Sequence, residues 1–382
     1  MTVSEAGTGL DQEQRAMRDV VREVAREEVR PTAAAADREQ SFPEGVWDEL
    51  AAIDLTGMTT PAEYGGLELD RVTYAVVNEE LGWGSLAVAT ALSVHCLATS
   101  CIAEFGSETH KEEYLPAMAE GRPVGAFALS EPGAGSNPSE METVARRDGD
   151  SYVLNGTKQW ITNGKRSDVA IVFAKTDRED ADSVTQFLVP KDTEGVSVGR
   201  KEEKLGLRAS DTTTLEFDDA RIPAANRLTA EGEGLGAALH ILTGGRVGIA
   251  AQSVGLAQAA LDDAVEYAAD REQFDRPIDR IQTIRHKLAD METQVAAARS
   301  LTRTAARRLE AGTTARAHAS KAKLFASETA MDVTNEAVQI HGGYGYTTDF
   351  DVERYYRDAK VTTIYEGTSE IQKEVIARDL VD

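Results

Sequence analysis

The sequence predicts an α+β chain, mainly α, in three parts. These are an N-terminal helical domain over 1–120, a barrel-like middle β domain over 121–227 and a C-terminal four-helix bundle over 228–382. Two observations carry this reading. Apolar residues recur at helical spacing in both outer regions, and turn dipeptides cut the middle region into short β-rich runs. A chain of 382 residues is long enough for two or three units with cores of their own.

In the first region, "QEQRAMRDVVREVAREEV" sets Met17, Val20, Val21 and Val24 at helical spacing. Pro31, Pro43 and Pro61 punctuate it, and "PAEYGG" at 61–66 reads as a loop. The run 73–106 is apolar almost all round, which predicts buried helices. In the middle region, Asp148-Gly149, Asn155-Gly156 and Asn163-Gly164 separate the runs "SYVLN", "KQWIT", "DVAIVFAKT", "SVTQFLVP", "GVSVG" and "TTTLEF". Short strands at this spacing suggest a small barrel or sandwich. In the last region, three long alanine-rich runs, 236–271, 281–312 and 314–343, read as helices of a bundle, the last two ending at glycine.

Bulk composition narrows the function. Hydrophobic content is 41%, that of a globular chain. There is no uninterrupted apolar run of about 18 residues to read as a membrane span. Residues 1–14 have no basic, then apolar, leader pattern, so a cytoplasmic protein is expected. Cys96 and Cys101 lie in an apolar stretch and read as core residues, and the histidines form no ligand pattern, so no metal site is expected. Net charge is −24, and of the 41 basic residues 12 are lysine and 29 arginine. Many acids with few lysines suit a protein working in very high salt, where the Debye length falls to about 3 Å. An ordinary acidic cytosolic protein is the plainer alternative. Either way, the charge opposes non-specific nucleic-acid binding.

Five motifs stand out, each with a plain structural alternative. "FALSEPGAGSNPSE" (127–140) contains Gly133-x-Gly135 but lacks the third glycine of a dinucleotide fingerprint. It is a small-residue loop able to wrap a polar ligand, or simply a turn. "KQWITNG" (158–164) puts Trp160 and Thr162 on one face of a predicted strand, for a flat ring or for the core. "REQFDRP" (271–277) and the helix after it join Arg271 with Phe274 and Gln282, to hold phosphate or to face water. "QIHGGYGY" (339–346) ends a helix in paired glycines. "IYEGTSEIQ" (364–372) places Glu366 on a glycine-jointed loop, where Ser369-x-x-Gln372 has the form of a capping box.

These stretches, with "PAEYGG" and "RDAK" (357–360), resemble the acyl-CoA dehydrogenase family in sequence and in order, from about residue 10 to 380. Each is weak alone; seven in order on a helix–strand–helix frame are specific. The resemblance implies non-covalent FAD and usually a homotetramer built as a dimer of dimers. It implies flavin contacts from Phe127, Leu129, Ser130, Gly135, Ser136, Trp160, Ile161, Thr162, Thr368 and Glu370. Arg271, Phe274, Gln282, Gln339, Ile340, Gly342 and Gly343 would reach the FAD of a neighbouring subunit. Ser136, Arg246 and Gly367 would lie on the acyl-CoA side. Glu366 stands where the family's base does, taking the α-proton of an acyl-CoA thioester while flavin N5 takes the β-hydride. Electrons would pass to an electron-transfer flavoprotein. Some members carry the base just before an arginine on another helix; that position is Gly245 here, which cannot serve. Asn137, Thr243, Asp275, Ile281 and Arg285 depart from commoner family residues at contact positions. The alternatives are an acyl-CoA oxidase using oxygen and a family member recruited to nucleic-acid binding.

Overall fold

The structure, a computed structural model, describes residues 9–312 and 315–381. The absence of a leader pattern in the first residues falls largely outside these. Helix α1 (Gln12–Val24) starts at a capping box: the Asp11 side chain accepts from the Gln14 N–H, and the Gln14 side chain accepts from the Asp11 N–H. It runs through one π-helical turn, Ala25–Val29, into α2 (Arg30–Glu39). Helices α3 (Glu44–Ala52), α4 (Arg71–Gly84), α5 (Leu86–Phe105) and α6 (Glu108–Ala119) complete the first region. By length and hydropathy α5 could cross a bilayer, yet nearly all of it is buried in the protein core.

The middle region is one mixed sheet. Its strands are β1 (Gly125–Ala128), β2 (Val144–Asp148), β3 (Ser151–Ile161), β4 (Val169–Lys175), β5 (Val184–Pro190), β6 (Val196–Lys201) and β7 (Thr213–Pro223). Their order is β1-β4-β2-β3-β7-β6, with β5 also paired to β4. The β1–β4 pair is parallel and the β4–β5 pair antiparallel. Asp148-Gly149 makes the β2–β3 hairpin turn, as expected, with Gly149 at φ 61°. Asn155-Gly156 does not make a turn. One strand runs straight through it, and the register slips there instead. Gly156, at φ 148°, lies against Thr143, where a Cβ would come within 2.4 Å of the threonine Oγ1. An Asn-Gly pair that favours positive φ serves a bulge as well as a hairpin.

The last region is built on α7 (Gly234–Asp270), α8 (Gln282–Glu310) and α9 (Arg316–His341), with α10 (Val352–Thr362) packed on α7 and α9, and α11 (Ser369–Val381) on α9. A small hairpin, β8 (Glu272–Gln273) and β9 (Arg276–Pro277), follows α7. Alanines such as Ala250, Ala257, Ala264, Ala305, Ala326 and Ala337 fill the core, and their small side chains let the helices approach closely. The same device joins the outer regions. A Cβ on Gly82 of α4 would sit 2.6 Å from the Gln252 carbonyl, and one on Gly255 of α7 would sit 1.9 Å from that of Glu79. These two helices meet backbone to backbone. That contact sets α4 against the middle of α7, and the candidate site forms N-terminal to it on α7, around Gly245.

Candidate active site

After α10 the chain turns through two consecutive left-handed residues, Glu366 at φ 50° and Gly367 at φ 94°. Glycine adopts this freely; a glutamate does so only when its surroundings enforce it. The enforcement is visible. Buried Gln372 donates from Nε2 to the Glu366 carbonyl (3.2 Å) and the Gly367 carbonyl (2.9 Å). Buried Lys323 of α9 donates from Nζ to the Gly367 carbonyl at 2.7 Å. The capping box expected from Ser369 and Gln372 does not form. Thr368 takes the cap, its Oγ1 accepting from the Ile371 N–H at 3.3 Å, and Gln372 is engaged by the turn. The Ser369 N–H that the box would have satisfied donates instead to the Thr363 carbonyl at 3.0 Å, which leaves Gln372 free for the turn's two carbonyls.

The Glu366 side chain lies against α7. A Cβ on Gly245 would come within 2.4 Å of Glu366 Oε2 and 3.3 Å of Leu97. The residue expected to be unable to serve as base is thus the one whose lack of a side chain makes room for Glu366. Although Glu366 as a whole keeps partial exposure, its Oε2 is sealed from solvent and has no hydrogen-bond partner. Burial raises its pKa to about 7, and the nearby charges of Lys323 and Arg246 oppose the rise. Arg246 is itself buried, with Nε and Nη1 unpartnered, and burial, then Arg316, hold its pKa below the usual value.

Beside Gly245 opens a cavity of about 370 Å³. Tyr74, Cys96, Leu97 and Ile241 give it apolar walls, Arg71, Glu104 and Arg316 add charge, and His240 adds a polar ring. His240 Nε2 meets Glu104 Oε2 at 2.9 Å. The arrangement is that of a site for an apolar chain with a polar head, next to a carboxylate poised near neutrality.

The expected flavin residues fall into two places. In the first, Phe127 on β1 packs on Phe173 with ring centroids 4.9 Å apart, and the Leu129 carbonyl accepts from Lys158 Nζ at 3.1 Å. The Ser130 carbonyl accepts from the Gln159 N–H at 2.9 Å. Gly135 and Ser136 are exposed, and a Cβ on Gly133 or Gly135 would touch nothing within 4 Å. Trp160 and Thr162 do not share a strand face. The register slips between Lys158 and Ile161, Trp160 sits at φ 64°, and β3 ends at buried Ile161, leaving Thr162 in the turn beyond. The slip pushes the indole outward, 57% exposed. A large aromatic held out of the core in a strained conformation, beside an open small-residue loop, fits a flat ring system.

The second place is the far end of α7. Arg271 follows its last residue, with its guanidinium 5.7 Å from the Tyr344 ring. Phe274, 83% exposed, and Asp275 form the tip of the β8–β9 hairpin at φ 55° and 59°. An aspartate tolerates that conformation, so the departure from glycine keeps the hairpin turn. Gln282 opens α8 and is exposed; Gln339, Gly342 and Gly343 are exposed at the end of α9, beside buried Ile340. Gly245 lies near the other end of α7, about 38 Å away at 1.5 Å per residue. This cluster therefore serves a different location from Glu366 within one chain. Thr368 caps α11, and Glu370 is exposed on its first turn. Lys323 was not among the expected site residues; its one signal was a lysine inside an alanine-rich helix in a lysine-poor chain.

Three family models match in order: the acyl-CoA dehydrogenase N-terminal domain over 11–122, the middle domain over 126–220 and the C-terminal domain over 232–381. The chain belongs to the acyl-CoA dehydrogenase family. It is 43% identical over 370 residues to a short-chain specific acyl-CoA dehydrogenase of Clostridium acetobutylicum, covering 96% of this chain and 98% of that one. It is also 43% identical to an acryloyl-CoA reductase (NADH) of Anaerotignum propionicum, over 97% of this chain and 95% of that one. Butyryl-CoA dehydrogenase from Megasphaera elsdenii superposes with a TM-score of 0.95 at 40% identity, covering all of both chains. A chain of the solved structure described as the electron transferring flavoprotein of Acidaminococcus fermentans gives the same values. Family members are FAD flavoproteins and oxidoreductases, and the outward indole and open loop here fit that cofactor.

Proposed function

We propose that this acyl-CoA dehydrogenase removes the α-proton of a short-chain acyl-CoA with Glu366, forming the trans-2-enoyl-CoA. The observation that carries the reading is a strained, solvent-shielded carboxylate with an unpartnered oxygen beside a cavity with apolar walls. A thioester α-proton is far too weakly acidic for an ordinary carboxylate in water. Burial makes Glu366 a stronger base, and water is kept from its Oε2. Lys323 and Gln372 hold the turn by its carbonyls, so the carboxylate meets the substrate already in place. Arg246, buried with free N–H groups, keeps positive charge beside the site. Bound FAD supplies the acceptor for the hydride leaving the β-carbon. Phe127, Leu129, Ser130, Gly135, Ser136, Trp160, Ile161 and Thr162 would hold it, with Thr368 and Glu370 near the base.

The cluster around Arg271, Phe274, Gln282 and the Gln339–Gly343 turn supports a homotetramer in which these exposed groups meet a neighbouring subunit's FAD. Electrons would pass to an electron-transfer flavoprotein, in keeping with the family and with the solved chain from Acidaminococcus fermentans. The net charge of −24 supports working in high salt and opposes nucleic-acid binding. The acryloyl-CoA reductase relative favours a second reading, in which the same groups run the reaction backwards and Glu366 returns the proton.

The test is a visible spectrum of the purified protein in high salt, without oxygen, before and after butyryl-CoA. Bleaching of a yellow protein is the expected result. A yellow protein that bleaches only with long acyl chains overturns the short-chain assignment. A protein that FAD cannot reconstitute overturns the function itself.

A further inference from the structure

We propose that Lys323 is a positioning residue for the base: its buried ammonium clamps the Gly367 carbonyl and presents a fixed charge to Glu366 from α9, keeping the carboxylate ionised while shielded from water. The inference rests on reading Glu366 as the base. The geometry supports it on three counts. Lys323 is fully buried, where an ammonium has no reason to be unless it meets negative charge or carbonyl oxygen. Its hydrogen bond at 2.7 Å ends on the residue next to the base. The Glu366 carboxylate, which feels the Lys323 charge, leaves Oε2 without a hydrogen bond, so at that oxygen charge rather than contact favours the ionised form.

The other groups around Glu366 do not replace it. Arg246 of α7 is the second cation, and it also faces the charge of Arg316. Tyr74 of α4 and Tyr365 of the turn itself are buried phenols held above their usual range by burial, and so are neutral. Glu370 interacts with Lys323 from the exposed side. Burial pulls Lys323 down to about 8, still charged at neutral pH. Without its charge the Glu366 pKa rises further, and less of the base is ionised at a given pH.

Lys323→Gln separates charge from clamp, because an amide still donates to the Gly367 carbonyl. With FAD bound, the low-pH limb of flavin reduction by butyryl-CoA should move up by about one unit. The rate then falls roughly tenfold below the limb and stays near the wild-type value above it. Gln372→Leu, which removes a clamp and no charge, should slow the reaction evenly with the limb in place. A second readout needs no turnover: infrared titration of the substrate-free protein, using Glu366→Gln to identify the carboxyl band, should show the same rise in Lys323→Gln. Lys323→Arg should restore the wild-type profile and keeps the test open if the amide variant folds poorly. An unmoved limb in folded, yellow Lys323→Gln, or an equal loss at every pH, overturns the proposal. Normal flavin reduction by Glu366→Gln would instead overturn the base assignment itself, so the two failures are distinguishable.

Discussion

Two buried lysines in this chain face glutamates, and they produce opposite acids. Lys158 on β3 donates to Glu131 Oε1 at 2.6 Å, and the same carboxylate accepts from the backbone N–H groups of Glu142 (2.6 Å) and Thr143 (3.1 Å). Burial pushes Glu131 up, but the Lys158 charge and these hydrogen bonds leave it below the usual carboxylate range. Lys323 spends its hydrogen bond on a backbone carbonyl, and Glu366 keeps an oxygen unpartnered with a pKa of about 7. Both lysines are themselves held down to about 8 by burial. What separates the two pairs is hydrogen bonding to the anion. A carboxylate whose lone pairs are filled is inert and structural; one given charge without contact remains able to take a proton.

The largest expected effect breaks the reactive member. Glu366→Gln should retain FAD and bind acyl-CoA but lose flavin reduction by roughly three to five orders of magnitude, read by anaerobic stopped flow. Next comes the inert pair. Lys158→Met leaves Glu131 buried without its counter-charge and should cost about 3–5 kcal/mol in denaturant unfolding. The Leu129 carbonyl loses its partner too, so FAD affinity should fall with it. An unchanged unfolding midpoint would mean that the pair is not holding the loop.

A third effect sharpens the comparison by moving a wall. Gly245→Ala puts a methyl where Glu366 Oε2 now sits, only 2.4 Å from it. The carboxylate must swing away, and a displaced base costs roughly a hundredfold in flavin reduction with little change in FAD content. Wild-type rates would show that the carboxylate moves on binding substrate and that the seat on α7 is not its working position.

How much of this could be read from the sequence differs between the pairs and the frame around them. The three-part order followed from periodicity, since amphipathic helices and alternating strands advertise themselves over ten or more residues. Glu366 was legible as a base only through the family resemblance, because alone an acid beside glycine just ahead of a helix start in "IYEGTSEIQ" reads as a charge placed for the helix dipole. Trp160 was legible as a residue but not in its geometry: alternation predicts faces, and a bulge at Lys158–Ile161 cancels alternation. Gln372 was read as a cap because local rules see four residues, whereas its partners are set by the turn as folded. Lys323 and Gly245 were out of reach as partners of Glu366. They lie on α9 and α7, far along the chain from the base, and meet it only through helix packing.

The smallest expected effect concerns stability and follows from the sign of the Glu366 shift. Its pKa is raised on folding, so the folded state binds the proton more tightly than the unfolded chain. The stability this contributes is complete below the unfolded pKa, about 4.3, and is lost as pH rises through about 7. In the substrate-free protein at pH 8, Glu366 is therefore a charge the fold would rather not hold. Glu366→Gln should then be more stable than wild type by about 1–2 kcal/mol at pH 8, less than the full shift implies because the partial exposure of Glu366 lets solvent share the cost. At pH 4 the two proteins should melt together. For the Glu131 pair the sign reverses: a lowered carboxylate contributes stability above its unfolded pKa and loses it as pH falls through the lower folded value. Thermal melts of Glu366→Gln and Glu131→Gln across this range should therefore diverge from wild type in opposite directions above about pH 7. If both variants lost stability there, Glu366 would be a second structural carboxylate, and the distinction between the two lysines would fall with it.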